Sequence, residues 1–108
     1  MKATVRNIIN SSVAAFHSDG LQVFAVLDKN LKSKKHIVLS FDGVKHCSTQ
    51  FLNAAIGKLY LKYSSKTIEE YLSYNLGIIP HLAEKIKEVK ENALNAAEYD
   101  RLIERATL

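Results

Sequence analysis

A short apolar run between two helical patterns constrains the fold of this chain most. Residues His36–Phe41 are mostly apolar and include β-branched side chains, which predicts a strand buried on both faces. Apolar residues recur at helical spacing before this run, over Gly20–Leu31, and after it, from Leu52 to Tyr63. Strands that alternate with helices favour an α/β layer with largely parallel neighbours and right-handed crossovers.

The N-terminal residues carry a weaker pattern. Ala3–Ile9 alternate weakly and predict a first strand. Asn10–Ser12 predict a turn, because short polar side chains hydrogen-bond to their own backbone there. Val13–Phe16 fit either a second short strand or the lead into a helix, for which Ser18–Gly20 offer an N-cap.

The second half of the chain continues the alternation. We expect a strand around Tyr71–Asn75, with a helical turn at Thr67–Glu70 as an alternative. Gly77–Pro80 predict a loop, since proline disfavours a helical residue before it. An amphipathic helix runs from His81 to about Asn95, and no breaker separates it from the residues that follow.

These elements predict one small α/β domain: a mixed, mostly parallel sheet with about three packed helices. Its core covers about residues 3–95, and residues 96–108 form a C-terminal helical extension. The 108 residues suit one domain, and so small a chain has little room for a large internal active site.

Composition excludes several other classes of protein. The single cysteine, Cys47, allows no intramolecular disulfide and favours a reducing compartment. No run approaches the ~18 apolar residues that cross a bilayer, and the N-terminus has no continuous apolar signal region. We therefore expect a cytoplasmic protein with no membrane partner.

The net charge of +4 comes in part from Lys29, Lys32, Lys34 and Lys35, called the lysine cluster below. Such a cluster can mark a surface for nucleic acid or a nucleotide, which is the alternative function that we consider. No aromatic residue or arginine is interleaved with these lysines. Cations that close a helix near the negative end of its dipole are the simpler interpretation, so a nucleic-acid partner is not favoured.

Catalytic chemistry has little support in the sequence. His46 and Cys47 are adjacent, and neighbouring side chains on an extended segment point apart, so they do not form a nucleophile–base pair. Neither the zinc-ligand spacings nor a glycine-rich phosphate loop is present. We predict no catalytic residue, no cofactor and no metal site.

Three short motifs lie in one strand–loop–helix segment, Ile37–Leu59. They are Phe-Asp-Gly-Val at 41–44, Ser-Thr-x-Phe at 48–51 and Ile-Gly-Lys-Leu at 56–59. This segment resembles the STAS-like domain family of unknown function and, more distantly, the bacterial anti-sigma-factor antagonists. The motifs cover about a quarter of the chain, and the element order extends the resemblance from Val5 to about Asn95.

The resemblance implies a regulatory module that binds a protein, which for the antagonists is an anti-sigma kinase of the histidine-kinase-like ATPase class. In that family the partner phosphorylates a serine in the turn. Alignment on Gly57 places this serine at Thr49, and Ser48 stands where the antagonists usually have an aspartate. Thr49 and Ser48 are therefore the candidate phosphosites. Alternatively, they only cap the helix, a role worth ~1 kcal/mol.

We accordingly predict a non-enzymatic binding module that contacts its partner through the loop and helix start at residues 46–53. The predicted contacts are Ser48, Thr49, Gln50, Phe51 and Asn53. Phe51 has two possible places, the core or the contact surface. Gly57 inside a helix costs up to ~1 kcal/mol against alanine, which close packing against the sheet or a partner would explain.

Overall fold

Three short parallel strands form the main sheet of the computed structural model, which describes the backbone of residues 1–107 and the side chains of residues 1–97. They are β1 (Lys2–Thr4), β3 (Ile37–Ser40) and β5 (Leu72–Asn75), in the order β1-β3-β5. A second, two-stranded parallel sheet pairs β2 (Val13–Ala14) with β4 (His46–Cys47). All strand pairs among the described residues are parallel, so the predicted mixed sheet has no antiparallel part there.

The central strand β3 confirms the prediction from its apolar run. Ile37 and Leu39 are buried on one face, while Val38 is half-buried and Ser40 fully buried on the other. A turn ends this segment: the Val44 N–H donates to the Phe41 carbonyl oxygen, and Gly43 has a φ of +80°. The Asp42–Gly43 signal therefore ends the strand as expected.

Helices cover most of the remaining chain. They are α1 (Val5–Ile9), α2 (His17–Lys32), α3 (Thr49–Leu52), α4 (Lys58–Lys62), α5 (Ser65–Tyr71) and α6 (Leu82–Thr107). A π-helical segment, Asn53–Gly57, joins α3 to α4, so the three pieces form one continuous rod. The three predicted helices correspond to α2, this rod and α6, and the short α1 and α5 are additional.

The predicted strand over Ala3–Ile9 is wrong beyond Thr4. The structure has a helical segment, α1, in which the buried Val5 and Ile9 lie four residues apart on one face. Asn10 ends this helix with a φ of +54°, a left-handed conformation that asparagine tolerates well. A segment of five residues with so few apolar positions is too short for periodicity to separate a strand from a helix.

Two further helix boundaries differ from the prediction. α2 begins at His17 rather than Gly20, so Ser18 and Asp19 lie in its first turn, and Phe16 occupies the N-cap position without a side-chain bond. The alternative helical turn before β5 is confirmed and extended to Ser65–Tyr71, since the Ser64 hydroxyl accepts a hydrogen bond from the Thr67 N–H.

The last helix packs on the core through the residues that its periodicity predicted. Leu82, Ile86 and Val89 are buried, and Ala93 is half-buried against the same core. The helix continues beyond about Asn95, the predicted boundary between the core and the C-terminal extension, and reaches Thr107. Of the predicted extension 96–108, Leu108 lies outside the described residues.

A close crossing between α2 and the rod fixes the position of the helix start. A Cβ atom added to Gly20 would lie 2.5 Å from the Phe51 carbonyl oxygen and 2.7 Å from the Ala54 Cβ. Gly57 of the rod faces α6, where an added Cβ would lie 3.1 Å from a methyl carbon of Val89. Close packing against a neighbouring helix therefore explains both glycines.

Candidate functional site

Ser48 holds the start of the rod in two directions. Its Oγ accepts a hydrogen bond of 3.0 Å from the Phe51 N–H, which makes it the N-cap that the sequence predicted. The same hydroxyl donates to the carbonyl oxygen of Ala15 at 2.6 Å, just beyond β2. Ser48 thus ties the helix start to the neighbouring segment, and its proton and one lone pair are both in use.

The other predicted contacts divide into exposed and buried residues. Thr49, Gln50 and Asn53 are exposed on the first turns of the rod, and Ser48 is half-buried beside them. Phe51 has no exposed surface, so it fills the core, which decides between the two places that the sequence left open. Its side chain supports the surface from below and is not itself available to a partner.

Sequence reasoning missed an aromatic residue beside this surface. Phe16 follows directly on Ala15, the residue that Ser48 contacts, and 66% of its surface is exposed. His17 begins α2 next to it and is exposed as well. From the sequence, an aromatic residue in an apolar stretch is expected in the core or in a strand. The position of Phe16 near the helix start becomes visible only with the parallel pairing of β2 with β4.

Two concavities flank the predicted surface. The first, about 420 Å³, is a groove lined mainly by small and apolar residues between the start of α2, the rod and α6, and Asn53 is on its rim. The second, also about 420 Å³, includes His46 and Ser48 and reaches the first turn of α6. The segment at 46–53 therefore contributes residues to both concavities, and we call its exposed part the 46–53 surface.

Cys47 has the properties of a packed residue and not of a nucleophile. It is buried, and burial raises the pKa of its thiol to about 11, although the positive charge of Lys85 acts in the opposite direction. The thiol is therefore protonated near neutral pH. His46 and Cys47 occupy β4, where successive side chains point to opposite faces, and only His46 is exposed.

The lysine cluster lies away from the 46–53 surface. Its four lysines are exposed at the carboxyl end of α2, whose 16 residues span about 24 Å. Lys32 pairs with Asp28 at 3.4 Å. Lys29 and Lys35 line a third hollow of about 380 Å³ with Met1 and Ser33. Lys29 and Lys32 lie in the last turn of α2, and Lys34 and Lys35 follow the helix.

The described residues show two further properties of the chain. No three His, Cys, Asp or Glu side chains converge as metal ligands within residues 1–97. None of the described helices has both the length and the apolar character that crossing a bilayer requires.

Comparison with known families gives one match. The model of the family described as STAS-like domain of unknown function (DUF4325) matches residues 19–75. The chain belongs to this family. The matched part of this STAS-like domain contains β3, β4, the rod and β5, and therefore the whole 46–53 surface. No curated protein and no solved structure matches the chain.

Proposed function

We propose that this STAS-like domain is a non-enzymatic regulatory module of the bacterial cytoplasm that binds a protein partner through the 46–53 surface. The observation that carries the proposal is a set of exposed polar side chains, Thr49, Gln50 and Asn53, on a backbone that is fixed from below. The two hydrogen bonds of Ser48 and the buried Phe51 supply this support. Pre-organised side chains lose little entropy on binding.

The neighbouring apolar side chains strengthen the proposal. Interface energy is concentrated in a few aromatic anchors, and Phe16 presents most of its ring to solvent beside Ser48. Leu61, which is 58% exposed, lines the same groove as Asn53. A partner that covers the 46–53 surface would bury both apolar side chains with the polar ones.

A phospho-switch at Thr49 is the form of regulation that the resemblance to the anti-sigma-factor antagonists suggests, with a histidine-kinase-like ATPase as the partner. The surroundings of Thr49 support a phospho-switch, because the residue is exposed and none of the described side-chain hydrogen bonds uses its hydroxyl. A phosphate there adds nearly two negative charges to the centre of the surface. Phosphorylation of Ser48 would instead break the bonds to Ala15 and Phe51, so Thr49 is the better acceptor.

The test is affinity capture from the native host with quantitative mass spectrometry, using matched variants as baits. Thr49→Glu adds a negative charge at the surface, and Ser73→Glu makes the same change on the exposed part of β5. We expect at least one protein that wild type and Ser73→Glu retain and Thr49→Glu loses. Phe16→Ala should weaken the same capture while it leaves the melting temperature almost unchanged, because the ring is mostly exposed.

Two outcomes would refute the proposal. One is a set of captured proteins that is identical for wild type, Thr49→Glu and Phe16→Ala. The other is turnover of a substrate that requires the concavity at Cys47. The mass spectra of the bait also report any phosphate at Thr49 or Ser48, which tests the switch separately from the binding.

A further inference from the structure

The second concavity brings together basic side chains from two distant parts of the sequence. Lys45 lines it from the loop before β4, and His46 lines it from β4. His81, the residue before α6, and Lys85, in the first turn of α6, line it as well. Ile79 and Pro80 contribute apolar surface to the same wall. The site adjoins the 46–53 surface directly, because His46 and Ser48 belong to both.

The positive charge in this concavity is only partly balanced. His81 precedes α6, and its Nδ1 lies 3.0 Å from an oxygen of Glu84 in the first turn of that helix. Within residues 1–97, neither Lys45 nor Lys85 has a carboxylate within 4.0 Å. Lys85 is half-buried, and it is close enough to Cys47 that its positive charge opposes the rise in the thiol pKa caused by burial. Two ammonium groups with no carboxylate partner among residues 1–97 thus border a concave, partly apolar surface.

From this arrangement we infer that the concavity binds an acidic peptide segment of the partner protein. Carboxylates of the segment contact Lys45 and Lys85, and an apolar side chain of the segment packs on Ile79 and Pro80. The inference rests on the proposed function, and it adds the chemical character of the partner. Complementary charge of this kind steers association and selects partners, while the apolar contact adds affinity.

The size and the composition of the site favour a peptide over a small anion. A volume of about 420 Å³ exceeds what one phosphate or carboxylate group fills, and the side chains of Ile79 and Pro80 offer such a group no hydrogen-bond donor. A peptide with both acidic and apolar side chains would match the lysines and the apolar residues of the concavity at the same time. The net charge of +4 for the whole chain also favours an acidic partner.

The experiment is an NMR titration of the ¹⁵N-labelled full chain with two synthetic peptides. The probe has the sequence Leu-Asp-Glu-Leu-Asp-Glu with blocked ends, and its neutral match replaces each acid with the corresponding amide. We expect the acidic peptide to shift the amide resonances of residues 45–48 and 81–85. The neutral peptide should bind at least tenfold more weakly, and added salt should weaken the binding of the acidic peptide.

Paired charge reversals identify the lysines that are responsible. Lys45→Glu with Lys85→Glu should lower the affinity for the acidic peptide at least tenfold. The control, Lys66→Glu with Lys87→Glu, makes the same change in net charge at exposed lysines outside the concavity and should leave the affinity within about twofold. If the first double variant fails to fold, Lys85→Gln replaces it, with an expected loss of at least threefold.

Three results would overturn the inference. The first is equal binding of the two peptides, and the second is an equal effect of the two double variants. The third is binding of inorganic phosphate, AMP or a single-stranded oligonucleotide at these residues with no binding of the acidic peptide. Each would leave the captures with Thr49→Glu and Phe16→Ala unaffected, so a failure here is distinguishable from a failure of the proposed function.

Discussion

Replacement of Gly20 by alanine tests whether α2 approaches the rod as closely as the structure shows. Alanine in a helix interior normally stabilises by up to ~1 kcal/mol relative to glycine. Here the added Cβ would lie 2.5 Å from the Phe51 carbonyl oxygen, 2.7 Å from the Ala54 Cβ and 3.3 Å from the Ala55 nitrogen. Carbon atoms pack best at about 3.5–4.0 Å, so the two helices would have to separate by roughly 1 Å.

Two of these three contacts are backbone atoms, which no side-chain rotation can relieve. Overpacking of this kind costs about 1–3 kcal/mol, and a rigid contact belongs at the upper end. After subtraction of the gain in helix propensity, we expect Gly20→Ala to lower the free energy of unfolding by ~2 kcal/mol. With a urea dependence of about 1–3 kcal/mol per molar, the unfolding midpoint should fall by roughly 1 M.

Gly57→Ala is the matched control, because it makes the same substitution at a buried helical glycine of the rod, whereas Gly20 lies in α2. Its Cβ would meet a methyl group of Val89 at 3.1 Å, a side chain that can shift, so we expect a change within ~1 kcal/mol of wild type. Gly20→Ala should also shift the amide resonances of residues 49–55, because these residues form the part of the rod that α2 contacts. A Gly20→Ala protein that is as stable as wild type or Gly57→Ala would refute the reasoning.

Three further predictions concern stability and the alternative function. The hydrogen bond from Tyr63, together with Lys62 and Lys32, lowers the pKa of Asp28 to about 2, below its value in the unfolded chain. The contribution of Asp28 to the free energy of unfolding is therefore complete above about pH 4 and disappears as the pH falls towards 2. Both lysines are exposed and screened by solvent, so we expect Asp28→Asn to lower the free energy of unfolding by only about 1 kcal/mol at pH 7. Near pH 2, urea unfolding should give the same stability for the variant and wild type. A difference in stability that stays constant with pH would contradict this prediction. Ser48→Ala should cost ~2 kcal/mol in the same assay, because it removes the cap and strands the Ala15 carbonyl, and Thr49→Ala less than ~0.5 kcal/mol; equal losses would refute the role of Ser48. The lysine cluster should give no gel shift with a single-stranded oligonucleotide at about 50 mM salt, and a shift that charge reversal in the cluster abolishes would support the nucleic-acid alternative.

Local signals account for the elements that the sequence predicted correctly. The apolar run of β3, the cap at Ser48 and the amphipathic spacing of α6 each depend on residues close together in the chain. The prediction of a strand over α1 is wrong because the five residues of α1 carry too little periodicity to separate a helix from a strand. The π-helical segment packs against α2 and α6, and these tertiary contacts are not encoded in any local pattern.

The exposure of the predicted contact residues follows from the sequence only in part. Thr49, Gln50 and Asn53 are exposed where the resemblance placed the contact surface, whereas Phe51 is buried below it. The signals that were missed are tertiary. Phe16 reaches the helix start only through the pairing of β2 with β4, and Lys85 meets Lys45 from a helix 40 positions later in the chain.

Site-specific photo-crosslinking in the native host tests the central claim most directly. A photoreactive amino acid at Gln50 lies at the centre of the 46–53 surface, and the same amino acid at Ser73 on β5 is the control. The account predicts a crosslinked product with a protein partner from position 50 that is absent from position 73 and lost with Phe16→Ala. No crosslink from position 50, or the same products from both positions, would contradict it.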